Sequence, residues 1–215
     1  MVDPPGDASY WDDIDPVWRE CFELAWESFR HHSIPVGAVL VDPHGAVVAR
    51  GRNRRSERTA PSGQIAGSNL AHAEINALAG LPPGDYSAHV LHTTLEPCFL
   101  CTAAIRHSHI GVVRFAAPDP AWAGIERLPT LNPTFARRWP RRDGPLGGPL
   151  QRLAVILHLV SSLERGADAV VDCHQELSPD LVRLARGLVG ARAHELRSMS
   201  FAEAVELLSQ YRSGT

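Results

Sequence analysis

The sequence predicts an α/β protein with a layered domain, in which helices cover a sheet. Two strand-like segments, residues 89–94 and 112–116, lie on either side of a helical pattern at residues 98–107, with short connections. Alternation of this kind is typical of layered α/β domains. The composition is that of an ordinary globular protein, since 44% of the 215 residues are hydrophobic and 21% are charged.

The first part of the chain predicts a helix followed by a β-hairpin. Apolar residues recur at steps of three and four from Trp18 to Phe29, which indicates one buried face of a helix. Residues 36–41 and 46–49 are β-rich runs, and the Asp-Pro-His-Gly segment between them has the chemistry of a hairpin turn.

Two irregular segments divide the remaining predicted elements. A polar loop is expected at residues 50–69, ahead of an alanine-rich helix at 70–79. Residues 118–149 contain seven prolines and four glycines, too many for regular structure. Further helices are predicted at residues 150–163, 179–189 and 200–211.

The charge pattern excludes several classes of function. The 24 acidic and 21 basic residues give a net charge of −3, so the whole chain offers no general attraction for a polyanion. All 21 basic residues are arginine. Schiff-base chemistry on a lysine and a phosphate loop with its lysine are therefore excluded.

The N-terminal residues, the length of the apolar runs and the small number of cysteines predict a cytoplasmic protein. No apolar run approaches the roughly 20 residues of a membrane span, and residues 1–15 are acidic and proline-rich instead of resembling a secretion signal. Four cysteines are too few for a disulfide scaffold. The close pair Cys98 and Cys101 is better interpreted as metal-binding or catalytic.

Four residues carry the predicted chemistry. His72, Cys98 and Cys101 supply one imidazole and two thiolates, the three protein ligands typical of a catalytic zinc site that keeps its fourth position open. Glu74 lies two residues after His72, near enough to exchange a proton with water at the metal. This combination fits hydrolytic deamination, in which water replaces an amino group and ammonia leaves.

At these residues the sequence resembles the zinc-dependent cytidine and deoxycytidylate deaminase superfamily, over roughly residues 10–130. His72-Ala-Glu74 followed by Pro97-Cys98-x-x-Cys101 matches the signature of zinc nucleobase deaminases. Longer matches are similar to the branch that contains tRNA adenosine deaminase and bacterial guanine deaminase. They are Pro35–Val41, Gly51–Asn53, His72–Leu78 and Thr94–Cys98.

The resemblance implies a fold and a set of roles. The fold is a three-layer α/β/α domain with a mixed five-stranded sheet at residues 10–145, here followed by a helical extension at residues 146–215. His72, Cys98 and Cys101 are implied to be zinc ligands and Glu74 the residue that shuttles protons. Asn53 and the amide of Ala73 are implied to contact the substrate, and the family implies a homodimer.

The sequence favours a free nucleoside or nucleobase as substrate. The stretch between Asn53 and His72 is longer than in the tRNA enzymes, and the tail from Leu150 contains about as many acidic as basic residues. A tRNA adenosine-to-inosine deaminase is the alternative, supported by five arginines at residues 50–58. Cytosine, adenine and guanine all present an amino-bearing carbon, so the base stays open.

A module that binds zinc without turnover is the remaining alternative. A structural zinc site needs a fourth protein ligand, for which His92, His107 and His109 are candidates. The other histidines, among them His158 and His174, are expected to be surface residues or hydrogen-bonded polar residues.

Overall fold

A computed structural model describes residues 14–209 and 211, and it contains a mixed five-stranded sheet. The strands are β1 (Gly37–Val41), β2 (Val47–Arg52), β3 (Val90–Leu95), β4 (Val112–Ala117) and β5 (Arg141–Asp143). Their order across the sheet is β2-β1-β3-β4-β5. β1 runs antiparallel to β2 and β3, whereas β3, β4 and β5 are parallel. The predicted mixed sheet is confirmed.

Helices precede, connect and follow the strands. They are α1 (Pro16–Arg30), α2 (Ala73–Leu78), α3 (Phe99–His107), α4 (Leu128–Leu131), α5 (Pro133–Ala136), α6 (Gly148–Glu164), α7 (Asp168–Leu177), α8 (Pro179–Leu188), α9 (Ala191–Ser198) and α10 (Phe201–Ser209). Within residues 14–209 and 211, no helix combines the length and apolar character needed to cross a bilayer.

Two glycines show that helices cover both faces of the sheet. A Cβ at Gly37 would lie 2.1 Å from the carbonyl oxygen of Cys21 in α1, and a Cβ at Gly51 would lie 2.2 Å from the carbonyl oxygen of Ala73 in α2. Gly51 pairs with Ala38, the neighbour of Gly37, so the two glycines face opposite sides. The α1 and α2 backbones therefore rest on opposite faces, as a three-layer arrangement requires.

The helical tail packs directly on the sheet. α6 contacts β4 and β3, and its buried residues belong to the same hydrophobic cluster as those of α1 and β1. Arg197 of α9 donates a hydrogen bond to the Phe29 carbonyl at the end of α1 and pairs with Glu164 of α6. The division at residues 145/146 stays a prediction, since the core is continuous across it, and residues 10–13 lie outside the described part of the chain.

The structure corrects the prediction for residues 118–149. This segment holds β5, two short helices and two 3₁₀ turns instead of being wholly irregular. β5 was missed because its sequence is Arg-Arg-Asp, which carries no apolar alternation. α7 and α9 were also not predicted, and α9 has no amphipathic pattern that periodicity could reveal.

Replacement of Gly51 by alanine tests how closely α2 must lie against β2. We expect Gly51→Ala to lower the free energy of unfolding by about 1–3 kcal/mol, because the new methyl group would overlap the α2 backbone. Gly80→Ala is the matched control, since open space surrounds a Cβ there. Chemical denaturation measures both variants, and equal stability would contradict the close approach.

Candidate metal centre

The starts of two helices bring the predicted ligands together. His72 directly precedes α2, Cys98 directly precedes α3, and Cys101 lies in the first turn of α3. The two helices contact each other. Residues that are 26 to 29 positions apart in the sequence therefore meet at one point.

The geometry of the three side chains fits a tetrahedral zinc ion. His72 Nδ1 lies 3.6 Å from the Cys98 sulfur and 3.3 Å from the Cys101 sulfur. Zinc–nitrogen and zinc–sulfur bonds of ordinary length, set at a tetrahedral angle, place the two donors about 3.6 Å apart. All three ligand atoms lie within 4.8 Å of one another. The donor set is therefore chemically and spatially suited to zinc.

The surroundings favour the metal-binding form of Cys98. A hydrogen bond from Cys101, together with interactions with His72, lowers the pKa of the Cys98 thiol to about 4. Cys98 also lies at the N-terminus of α3, where backbone dipoles favour a thiolate. The pKa of Cys101 is raised because its thiol proton is shared with Cys98 and its side chain is buried.

The carboxylate of Glu74 lies against this group in a buried position. It accepts a hydrogen bond of 3.0 Å from the Thr93 hydroxyl through Oε1, and Oε2 lies 3.3 Å from the Cys101 sulfur. Only 4% of the residue is exposed. Burial raises the pKa of Glu74, and the negative charge of Cys98 raises it further. The carboxyl group is thus placed to exchange protons beside the metal ligands.

A cavity of about 580 Å³ opens onto these residues. Its lining includes Asn53 and Ala73, the two residues predicted to contact substrate, together with all four residues of the predicted chemistry. Asn53 is 2% exposed, and its side-chain oxygen accepts a hydrogen bond of 3.1 Å from the Arg55 amide. The structure thus gathers every predicted site residue around one volume of the size that binds small molecules.

Sequence reasoning missed part of the cavity wall. Asp119 lies two residues after β4. His158 lies within the tail helix α6, and Arg165 caps the C-terminus of that helix. The position of Asp119 at the carboxyl end of a parallel strand was a usable signal. The position of His158 within the apolar run Ala154–Val160 was a second signal, because a lone polar residue there must be buried.

Two buried histidines correct an expectation from the sequence. His158 is 5% exposed and His174 is 1% exposed, so neither is a surface residue. Both ring nitrogens of His158 and Nε2 of His174 have no hydrogen-bond partner among the described residues. The expectation of surface or hydrogen-bonded positions was therefore wrong for His158, and His174 keeps one unsatisfied nitrogen.

Comparison with known proteins gives several relatives. A tRNA-specific adenosine deaminase of Rickettsia bellii is 30% identical over 113 residues, which are 50% of this chain and 72% of the relative. That of Haemophilus influenzae is 35% identical over 109 residues, or 49% of this chain and 58% of the relative. A tRNA(Ile)-lysidine synthase of Deinococcus radiodurans is 31% identical over 141 residues, which are 64% of this chain but only 22% of that protein.

Solved structures support the same fold. A guanine deaminase from Nitrosomonas europaea superposes with a TM-score of 0.51 at 22% identity, covering 76% of this chain and 96% of the other. Residues 12–117 match the family model described as the cytidine and deoxycytidylate deaminase zinc-binding region. The chain therefore belongs to this zinc-binding deaminase family.

Proposed function

We propose that this protein catalyses the hydrolytic deamination of a free nucleoside or nucleobase, with replacement of an amino group by a carbonyl and release of ammonia. The observation that carries the proposal is the buried carboxyl group of Glu74, held between a three-ligand metal group and a cavity of about 580 Å³. A carboxyl group with a raised pKa beside a metal group is the arrangement that acid–base catalysis requires.

His72, Cys98 and Cys101 would hold the zinc ion. Zinc, when bound there, supplies an acidified water molecule as the nucleophile. The imidazole of His72 directs Nδ1 toward the two sulfurs, 3.6 Å from that of Cys98 and 3.3 Å from that of Cys101. The three ligands are thus oriented before the metal arrives.

Glu74 would move the protons of the reaction. Its Oε1 is held by the Thr93 hydroxyl. Its Oε2, which lies 3.3 Å from the Cys101 sulfur, would accept a proton from water when Cys101 is a thiolate. Glu74 would then deliver this proton to a ring nitrogen of the substrate. It would next take up the remaining proton of the added hydroxyl group and deliver it to the amino group, which leaves as ammonia while the carbonyl forms.

Asn53 and the Ala73 amide would position the substrate. The side-chain oxygen of Asn53 is fixed by the Arg55 amide, which determines the direction in which the rest of its amide points. Ala73 begins α2 directly between His72 and Glu74, so a group bound at its backbone would lie beside both.

The cavity and the arginines support a small substrate over RNA. Three of the five arginines at residues 50–58 are held by carboxylates: Arg50 by Glu20, and Arg52 and Arg54 by Glu57. The side chains of Arg52 and Glu57 are only 9% and 12% exposed. The charges of Arg52 and Arg54 therefore stabilise the fold of the loop and are not displayed for a phosphate backbone, whereas the side chain of Arg50 is 52% exposed.

Deamination of a tRNA anticodon is the second candidate. The names of the Rickettsia and Haemophilus relatives favour it, and Arg55 and Arg165 line the cavity. Such an enzyme would have to accept a base flipped out of a single-stranded loop. The homodimer and the cytoplasmic location stay predictions in either case.

A substrate panel separates the candidates. We expect ammonia release from at least one free base or nucleoside among cytosine, adenine and guanine compounds, because the cavity can hold one such molecule. The comparison substrate is a tRNA anticodon stem-loop. Activity on the stem-loop alone would replace the proposal by tRNA editing, and no ammonia from any member would leave a binding module.

Glu74→Gln tests the proton-transfer role. We expect kcat to fall by about 10²–10⁴-fold, because the amide cannot accept or deliver a proton. Bound zinc should be retained, since Glu74 is not among the three ligands. Glu23→Gln is the matched control, because Glu23 is exposed on α1. Steady-state kinetics and metal analysis provide the readouts, and unchanged kcat would remove Glu74 from the mechanism.

Cys101→Ser tests the ligand assignment. We expect cobalt-substituted wild-type protein to show thiolate-to-cobalt absorption, and this variant to lose most of it, because a hydroxyl is a much weaker ligand than a thiolate. Cys173→Ser is the control, since Cys173 is exposed on α7. Retention of the full band in Cys101→Ser would show that this sulfur does not bind metal.

A further inference from the structure

A second group of metal-ligating side chains lies between the deaminase domain and its tail. Asp119 follows β4, His158 lies in the middle of α6, and His174 lies in α7. They are 4%, 5% and 1% exposed. None of the three belongs to the zinc centre of His72 and the two cysteines.

The hydrogen bonding of this group is incomplete. Within the described residues, neither ring nitrogen of His158 has a partner, and Nε2 of His174 also has none. Asp119 Oδ1 accepts a hydrogen bond from the Ala121 amide, while Oδ2 lies 4.0 Å from His158 Nε2. Buried polar atoms without partners cost stability, and in native proteins they point to a missing water, ion or ligand.

The spatial arrangement is close to that of a coordination sphere. One donor atom from each of Asp119, His158 and His174 lies within 4.8 Å of the other two. Donors that share one ion with bonds near 2.1 Å lie roughly 3.0–3.5 Å apart at tetrahedral or octahedral angles. Side-chain rotations that move each donor atom by less than about 1 Å would therefore bring the three atoms within bonding distance of one ion.

We propose that Asp119, His158 and His174 form a second site for a divalent transition-metal ion, separate from the zinc centre. Two imidazoles and one carboxylate are a donor set for zinc, iron, manganese, cobalt or nickel, and the absence of sulfur distinguishes it from the cysteine-containing centre. Burial lowers the pKa of both histidines to about 4, so at neutral pH each imidazole is in the neutral form that binds metals.

The second site would join the tail to the deaminase domain. Asp119 follows the carboxyl end of β4 in the domain, whereas both histidines lie in the tail helices. Asp119 and His158 also line the cavity, so the ion would lie in its wall. A metal bound only by the folded arrangement stabilises that arrangement by mass action.

Metal counting on the full chain tests the proposal without reference to turnover. We expect purified protein equilibrated with zinc and freed of excess to retain two equivalents, and His174→Gln to retain one. His194→Gln should retain two, because His194 is exposed on α9. Retention of a single equivalent by the wild type at saturating zinc, cobalt or manganese would overturn the proposal, as would two equivalents in His174→Gln.

Cobalt absorption identifies which site is filled. We expect one equivalent to give thiolate-to-cobalt absorption and the other to add only weaker visible bands. His174→Gln should lose the weaker bands and keep the thiolate band, which also shows that it folds. Metal beyond the first equivalent should raise the Tm of the wild type by several degrees and leave that of His174→Gln unchanged. A second equivalent bound through sulfur would contradict the assignment.

Discussion

The metal centre depends on the close approach of α2 to the edge of the sheet. Gly51 has no Cβ, which lets the α2 backbone lie directly on β2. Asn76 of α2 then donates hydrogen bonds to the carbonyl groups of Arg52 and Ile65 and accepts one from the Ile65 amide. One buried amide thus ties the end of β2, the long loop and the helix together. Because His72 directly precedes this helix, the same contacts fix the position of its backbone beside the two cysteines.

The tail completes the cavity that the domain begins. Arg197 holds α9 against the ends of α1 and α6 through the Phe29 carbonyl and Glu164, and its guanidinium lies 4.3 Å from the centre of the Phe29 ring. α6 in turn lies on the parallel strands, so His158 faces Asp119 at the strand ends. The wall of the cavity is therefore built from residues far apart in the sequence, which couples its shape to the docking of the tail.

The zinc motif could be predicted because its residues form two short motifs, each at the start of a helix. The two-residue step from His72 to Glu74 and the three-residue step from Cys98 to Cys101 are short enough to be recognised directly. The Asp119, His158 and His174 group has no such spacing, because its members meet only after three elements have packed. β5 escaped detection for another reason: Arg142 is buried by its ion pair with Glu96, so a charged residue occupies a position where apolar alternation was expected.

The arginines at residues 50–58 show why a local basic cluster does not by itself indicate an RNA surface. The planar guanidinium can share a carboxylate with a second one, and Glu57 accepts hydrogen bonds from both Arg52 and Arg54. Arg54 also donates to Gln64, whose amide donates to the Arg50 carbonyl, which closes the loop onto β2. If Arg52 and Arg54 turned outward to bind phosphates, the nearly buried carboxylate of Glu57 would lose both of its ion-pair partners. The charges of Arg52 and Arg54 therefore stabilise the loop that follows Asn53, and Arg55 is the member of the cluster that lines the cavity.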